Sequence, residues 1–330
     1  MSRSTTDRAS YTAESARETI GIQGDNVFTH FKYWKTVLFA GLLWAAMPVS
    51  LHAQMNPYFT TINYPVGKDR LMLMVLPDFQ RARQGNNFFT GMLMAEYGIT
   101  PRWTAGFMVE GQKIFGMPVT YGGLRVNTYF HLLQRDHLLN LTLYGEFEDL
   151  NEAGLYKMEV SGFGPEDLSG PLGIARNTPA RTFEQRLIVY HNWSRLNATF
   201  NFINETGLEA PHGNNFGYAV GLFRQPALMA MTVSPMPGMA STPPPAALSM
   251  RRLGYGVEMI GALGNTDQFG FYWHRQQQYL GPVLTYDVTS HWSLRVEPAF
   301  GLSDVSDPFV LRMGVAYMFD GFGHKLGRIF

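Results

Sequence analysis

The sequence predicts an all-β fold, a transmembrane antiparallel up-and-down β-barrel of about twelve strands. Three observations predict it. From residue 54 onward the chain is dominated by apolar/polar alternation in runs of about nine to twelve residues, longer than an ordinary globular strand and close to the span of a tilted membrane strand. No apolar run in that region approaches the roughly 20 residues of a spanning helix. The links between runs alternate between short turns and longer stretches rich in Gly, Asn, Pro and Asp, as in a meander whose hairpins are tight on one side only.

The elements follow in order. Residues 1–31 are polar and without periodicity, an N-terminal extension that a start codon set too far upstream would explain. Lys32 and Lys35 then precede the uncharged run TVLFAGLLWAAMPV, and Ala53 closes SLHA. A basic start, a short apolar core and a small-residue exit mark residues 32–53 as a cleaved secretory signal peptide, the alternative being an uncleaved anchor. Residues 54–330 are left for the barrel.

Within it, alternating runs are expected near 69–79, 88–98, 103–112, 121–133, 138–149, 182–193, 196–207, 216–223, 252–263, 277–287, 292–302 and 309–319. In LNLTLYGEFEDL, Leu139, Leu141, Leu143, Gly145 and Phe147 face one way, and Asn140, Thr142, Tyr144, Glu146 and Glu148 the other. In WSLRVEPAFGL, Trp292, Leu294, Val296, Pro298 and Phe300 oppose Ser293, Arg295 and Glu297. The short turns fall at 99–102, 134–137, 194–195 and 288–291. The longest link, roughly 150–181, is expected on the other side, either folded over the mouth or exposed.

EYGITPRW (Glu96–Trp103) returns as TYDVTSHW (Thr285–Trp292). Both read as short-turn hairpins on one side of the meander. Amphipathic rings prefer the lipid–water boundary, so Tyr97, Trp103, Trp193, Tyr286 and Trp292 are read as an aromatic girdle.

On these residues the chain resembles Gram-negative outer-membrane β-barrels, and more narrowly the poorly characterised porin-like families that include outer-membrane proteins of the MetA-type phenol-degradation pathway. A hairpin similar to E-Y-G-x-T-x-R-W recurs in them. The resemblance implies an outer-membrane location, contact with outer-membrane lipid and handling by the barrel-assembly machinery. It also implies a terminal strand ending in an aromatic, which Leu311, Met313, Val315, Tyr317 and Phe319 fit. Because the chain continues through DGFGHKLGRIF, Phe319 and Phe330 compete for that role beside Tyr317. The motifs are generic for barrels and name no solute.

Charge cannot face lipid cheaply, at about 2–4 kcal/mol for an Arg near the midplane. Glu96, Glu110, Arg125, Glu146, Glu148, Glu184, Arg186, Glu205, Glu258, Arg295, Glu297 and Arg312 are therefore assigned inward, with Arg70 and Arg252 on the same faces. They either fill the lumen as a salt-bridge lattice or line a hydrated constriction. Twelve strands sit between the eight whose side chains fill the interior and the sixteen or more that leave it open, so the path is narrow.

Other chemistry finds little purchase. Cysteine is absent, which removes thiol nucleophiles, disulfides and Cys metal sites. Formal charge is zero and no basic tract is present, so no nucleic-acid partner is expected. His191 near Ser194 and His291 near Ser293 lack a third, orienting group and lie in or beside turns, so no catalytic residue is assigned. No metal or cofactor is expected. The segment 225–250 interrupts the short-turn side with Met and Pro; a disordered insertion is preferred there over a Cu(I) site built from Met229, Met231, Met236, Met239 and Met250. The function expected is passive passage of ions or small hydrophilic or amphiphilic solutes, no particular solute being indicated. The alternative is a closed barrel that is structural or binds through its external loops, and a lipid-modifying barrel enzyme comes third.

Overall fold

A computed structural model describes residues 57–62, 66–83, 86–133, 138–151, 161–162, 179–193, 195–208, 213–226 and 252–326. The signal-peptide region, the extension before it, most of the Met/Pro-rich segment and Phe330 lie outside the described residues. Twelve strands form: β1 (Arg70–Arg81), β2 (Phe88–Gly98), β3 (Trp103–Ile114), β4 (Thr120–Leu133), β5 (Asn140–Asn151), β6 (Pro179–Trp193), β7 (Leu196–Gly207), β8 (Asn214–Arg224), β9 (Leu253–Asn265), β10 (Gln278–Asp287), β11 (Trp292–Gly301) and β12 (Phe309–Asp320). A short helix, α1 (Phe322–Leu326), follows. All twelve coincide with the alternating runs of the sequence, with ends moved by up to three residues.

Each strand pairs antiparallel with its chain neighbours, and β1 pairs with β12 to close the barrel. In lipid every backbone polar group must find a partner within the protein, and closure provides one along both edges. The period of two then sorts side chains completely. Along β5, Asn140, Thr142, Tyr144, Glu146 and Glu148 are buried inside, while Leu143 and Phe147 are exposed outside. Along β12, Ala316 and Met318 are buried against exposed Met313 and Val315. An apolar exterior around a polar interior inverts the soluble pattern and makes this a membrane-spanning barrel.

The repeated hairpin has a local cause. Thr289 Oγ1 accepts hydrogen bonds from the amides of His291 (3.1 Å) and Trp292 (3.0 Å), and Thr100 Oγ1 accepts one from Arg102 (3.2 Å). The equivalent threonine thus closes both turns, as short hydroxyl side chains do. Trp103, Trp193 and Trp292 stand exposed at this end, and Trp103 Nε1 donates to Thr128 Oγ1 at 2.7 Å. Tyr97 and Tyr286 lie on the same end; the Tyr97 hydroxyl donates to Asp69, which also accepts from the amide of Gly323 at 2.6 Å and so ties α1 under the rim. Phe319 is the last outward residue of β12 and packs against Tyr317 at 4.5 Å. At the opposite end the exposed rings are mostly phenylalanines, with Phe115 edge-on to Phe79 and Phe300 beside Phe309.

Proline interrupts the ladder twice. Between β10 and β11 the pairing passes from Leu280–Phe300 to Leu284–Val296, and Pro282 and Pro298 fall in the gap. Between β1 and β12 it passes from Val75–Val315 to Asp78–Arg312 around Pro77. A residue without an N–H cannot complete either seam.

The sorting of faces is directly testable. Leu143→Arg should lower stability by about 2–4 kcal/mol in denaturant unfolding of the protein folded into lipid vesicles. A change below about 0.5 kcal/mol, usual for a solvent-facing site, would mean that this face does not meet lipid.

Candidate functional site

The lumen is occupied by the chain's own residues 57–62. This segment precedes β1 and crosses the barrel interior as a strap. Glu258, fully buried on β9, accepts the backbone N–H groups of Phe59 (3.0 Å), Thr60 (2.8 Å) and Thr61 (2.5 Å) on its two carboxylate oxygens. Three successive amides converging on one anion make a nest. Asn201 on β7 then holds Ile62 at both ends, accepting from its N–H at 2.7 Å and donating to its carbonyl at 2.9 Å. Arg186 donates to the carbonyl of Thr60 at 2.5 Å and Arg295 to that of Tyr58 at 2.9 Å. The backbone of a segment that joins no ladder would otherwise be costly to bury; the wall supplies its donors and acceptors.

Side chains of the strap are seated as firmly. The Tyr58 hydroxyl donates to Asn197 Oδ1 at 3.0 Å, and its ring meets Phe223 edge-on at 5.8 Å. A Cβ at Gly221 would stand 2.3 Å from the Tyr58 ring, so only glycine leaves room there. The guanidinium groups of Arg295 (5.6 Å) and Arg312 (5.1 Å) both lie over the Phe59 ring, in cation–π contact. Ile62 packs with Tyr129, Tyr144, Ile188 and Tyr190.

Beside the strap remains a cavity of about 210 Å³ with two unlike walls. One is rich in thioethers, Met72 and Met74 on β1, Met92 and Met94 on β2, and Met108 on β3, with Asp78 and Glu96 toward the ends of the same strands. The other carries Glu146, Glu148, Glu184 and Glu205 with Arg125 and Arg186. Arg125 reaches Glu148 at 2.5 Å, Glu146 at 3.3 Å and Glu110 at 3.3 Å, and Arg186 pairs with Glu184 at 2.6 Å. Tyr129 donates to Glu96 and Tyr144 to Glu146, each at 2.6 Å. Buried charge of this kind is stable only when paired and hydrogen-bonded. From the long-link end, Ser161 donates to Glu205 at 2.6 Å, and Gly162 bonds to the backbones of Phe216 and Gly264, so part of the longest link enters the mouth.

A second cluster joins strap and wall. Arg312 bonds Asp78 at 3.3 Å, approaches Glu297 at 3.7 Å and donates to Thr60 Oγ1. Glu297 leans over Gly281, where a Cβ would stand 2.4 Å from its Oε1.

The structure places all twelve charged residues assigned inward on the inner face and groups them in these two clusters. Arg70 and Arg252 differ: strand ends put them at the short-turn rim, where Arg70 pairs with Asp320 at 2.8 Å and Arg252 donates to the carbonyls of Asp287 and Val288. Sequence reasoning missed the strap, Asp78 and the methionine wall. The methionines were legible in principle, since they recur every second residue in phase with Glu96 and Glu110. Nothing in PYFTTI announced a segment that pairs with no strand.

Of the two His/Ser pairs, Ser194 lies outside the described residues, and Ser293 is buried toward the lumen. His291 instead meets Ser290 Oγ at 3.0 Å and Asp320 at 3.5 Å, all three on the exposed short-turn rim.

No family model matches the sequence, and no curated protein matches it. Solved structures similar to it include the KdgM porin (10% identity, TM-score 0.46, covering 75% of this chain and 99% of that one). The COG4313 outer membrane channel from Pseudomonas putida F1 is also similar (10% identity, TM-score 0.45, 79% and 98%), as is the CymD monoaromatic hydrocarbon channel (9% identity, TM-score 0.36, 77% and 90%). Likeness this slight adds nothing to the barrel that the strand pairing already gives.

A hydrogen bond to a charged group contributes about 1.5–3 kcal/mol, so the three at Glu258 make it the principal anchor of the strap. Thr61 is fully buried, and the chain has no cysteine. In a Thr61→Cys background, Glu258→Ala should speed maleimide labelling at position 61 by an order of magnitude or more. Equal labelling rates with and without Glu258 would place the anchor elsewhere.

Proposed function

We propose that the protein is an outer-membrane channel for small hydrophilic or amphiphilic solutes, with residues 57–62 as the element that restricts its bore. The observation that carries this reading is the cavity whose thioether wall faces a charged one. A lattice whose only task was to fill the barrel would leave no such space. Methionine presents an adaptable apolar surface, and the charged wall keeps the opposite side wet, a combination suited to solutes that carry both characters.

Among the described residues, acid outweighs base in this lumen. Asp78, Glu96, Glu110, Glu146, Glu148, Glu184, Glu205, Glu258 and Glu297 are set against Arg125, Arg186, Arg295 and Arg312. Passage should therefore favour cations over anions, as rings of carboxylates do in other pores.

A closed barrel acting structurally or through its external loops is the second reading. The strap and the Ser161–Gly162 segment favour it, because each obstructs one part of the same path.

Planar-bilayer recording separates the two. The wild-type barrel should give small ohmic steps with a weakly cation-selective reversal potential, and Glu258→Ala should enlarge the steps several-fold. Silence from both proteins, once each is shown to be folded and inserted, would overturn the channel and leave the closed barrel.

A further inference from the structure

The link between β9 and β10, residues 266–277, contains Phe269, Gly270, Phe271, Tyr272 and Trp273 in succession. Links at the long-link end of a barrel ordinarily stand in water, where such a run is out of place. Here Phe269, Phe271 and Tyr272 are exposed by 56%, 53% and 42%. An exposed aromatic run demands a partner.

The link is held in place by the barrel. Gln276 accepts from the amide of Tyr272 at 2.7 Å and donates to the carbonyl of Gly270 at 2.8 Å. Gln277 accepts from the Tyr279 hydroxyl at 2.9 Å, and Gln278 accepts from the Tyr218 hydroxyl at 2.6 Å. All three glutamines are buried. Gly270 also donates to the carbonyl of Leu263 at 2.9 Å, turning the chain back along β9. The rings are therefore displayed by a fixed scaffold.

Their position identifies what they meet. Phe269 packs edge-on against Phe216 at 5.3 Å and against Phe202 at 6.5 Å. Phe202 and Phe216 point outward from β7 and β8, in line with exposed Phe200, Val220 and Leu222 of the lipid-facing wall. Phe271 and Trp273, two and four residues on, pack on each other at 5.5 Å. The run thus joins the lipid-facing surface through Phe269. Around it stand polar groups suited to the headgroup zone: Arg275 bonded to Gln268, and His274 beside Asp304.

The geometry points to the β9–β10 link as a membrane anchor, an aromatic apron folded outward over the rim so that Phe271, Tyr272 and Trp273 lie in the interfacial layer of the bilayer at the long-link end. Its partner is the lipid surface. This holds whether or not the lumen conducts.

Because the chain has no cysteine, single sites can be spin-labelled without background. Phe271→Cys, Leu284→Cys on the lipid-facing wall and Asp267→Cys on the polar edge of the same link would be labelled in full-length protein folded into phosphatidylcholine vesicles. Power-saturation spectroscopy then compares collisions with oxygen, which concentrates in lipid, and with a water-soluble nickel chelate. The label at 271 should favour oxygen several-fold, like that at 284 and unlike that at 267. A label at 271 that follows 267 would overturn the anchor, and shielding from both reagents would overturn it in favour of a covering protein. As a second readout, Trp273 left as the only tryptophan, the other five replaced by Phe, should be quenched by brominated lipid more than by aqueous iodide. The reverse order would also overturn the proposal.

Discussion

The backbone pairing of β1 with β12 is the constraint on which the rest of the molecule depends. Without it the sheet has two open edges in hydrocarbon, where no water can satisfy them. With it, every strand acquires an inside and an outside, and the two are exclusive. Carboxylates and guanidinium groups then have one place to go. That exclusion gathers so many charges into a narrow bore, and the gathered charges in turn make the bore able to hold a length of backbone.

The strap shows how the two clusters divide their work. Around Glu258, Arg295 and Arg312 the wall supplies charge and the strap supplies main-chain dipoles, so the wall meets the polar needs of the segment and is itself partly compensated by it. Around Arg125 the compensation is internal: one guanidinium serves Glu110, Glu146 and Glu148. The cluster around Glu258 is completed only when the strap is present; the one around Arg125 meets the strap through Arg186 alone among its charges, by the bond to the carbonyl of Thr60. A movement of residues 57–62 would thus disturb the Glu258 side of the lumen's electrostatics most and reach the Arg125 side through Arg186.

Most of the fold was legible because period-two alternation is a local signal, readable from one strand at a time. Leu143 and Glu146 declare opposite faces without reference to any neighbour. The turn threonines Thr100 and Thr289 were legible as a repeat, although their role as hydrogen-bond acceptors was not. The strap was illegible for the opposite reason. Its partners Asn197, Asn201, Glu258 and Arg295 lie some 140 to 240 positions downstream, and it borrows its regularity from them. The methionine wall fell between these cases: polarity alone assigned faces, and an apolar residue pointing inward went unread. The rim positions of Arg70 and Arg252 turned on where a strand ends, which alternation does not mark.

Gly221 ties two distant parts of the chain into one heritable unit. The absence of a side chain at that position has meaning only because Tyr58 fills the space, and Tyr58 fits only because the space is empty. Altering either alone should be felt, whereas altering the second after the first should matter much less, since the fit is already lost. Selection acting on residues 57–62 therefore acts also on a glycine in the eighth strand, and a barrel that lost its strap would be free to let that glycine drift.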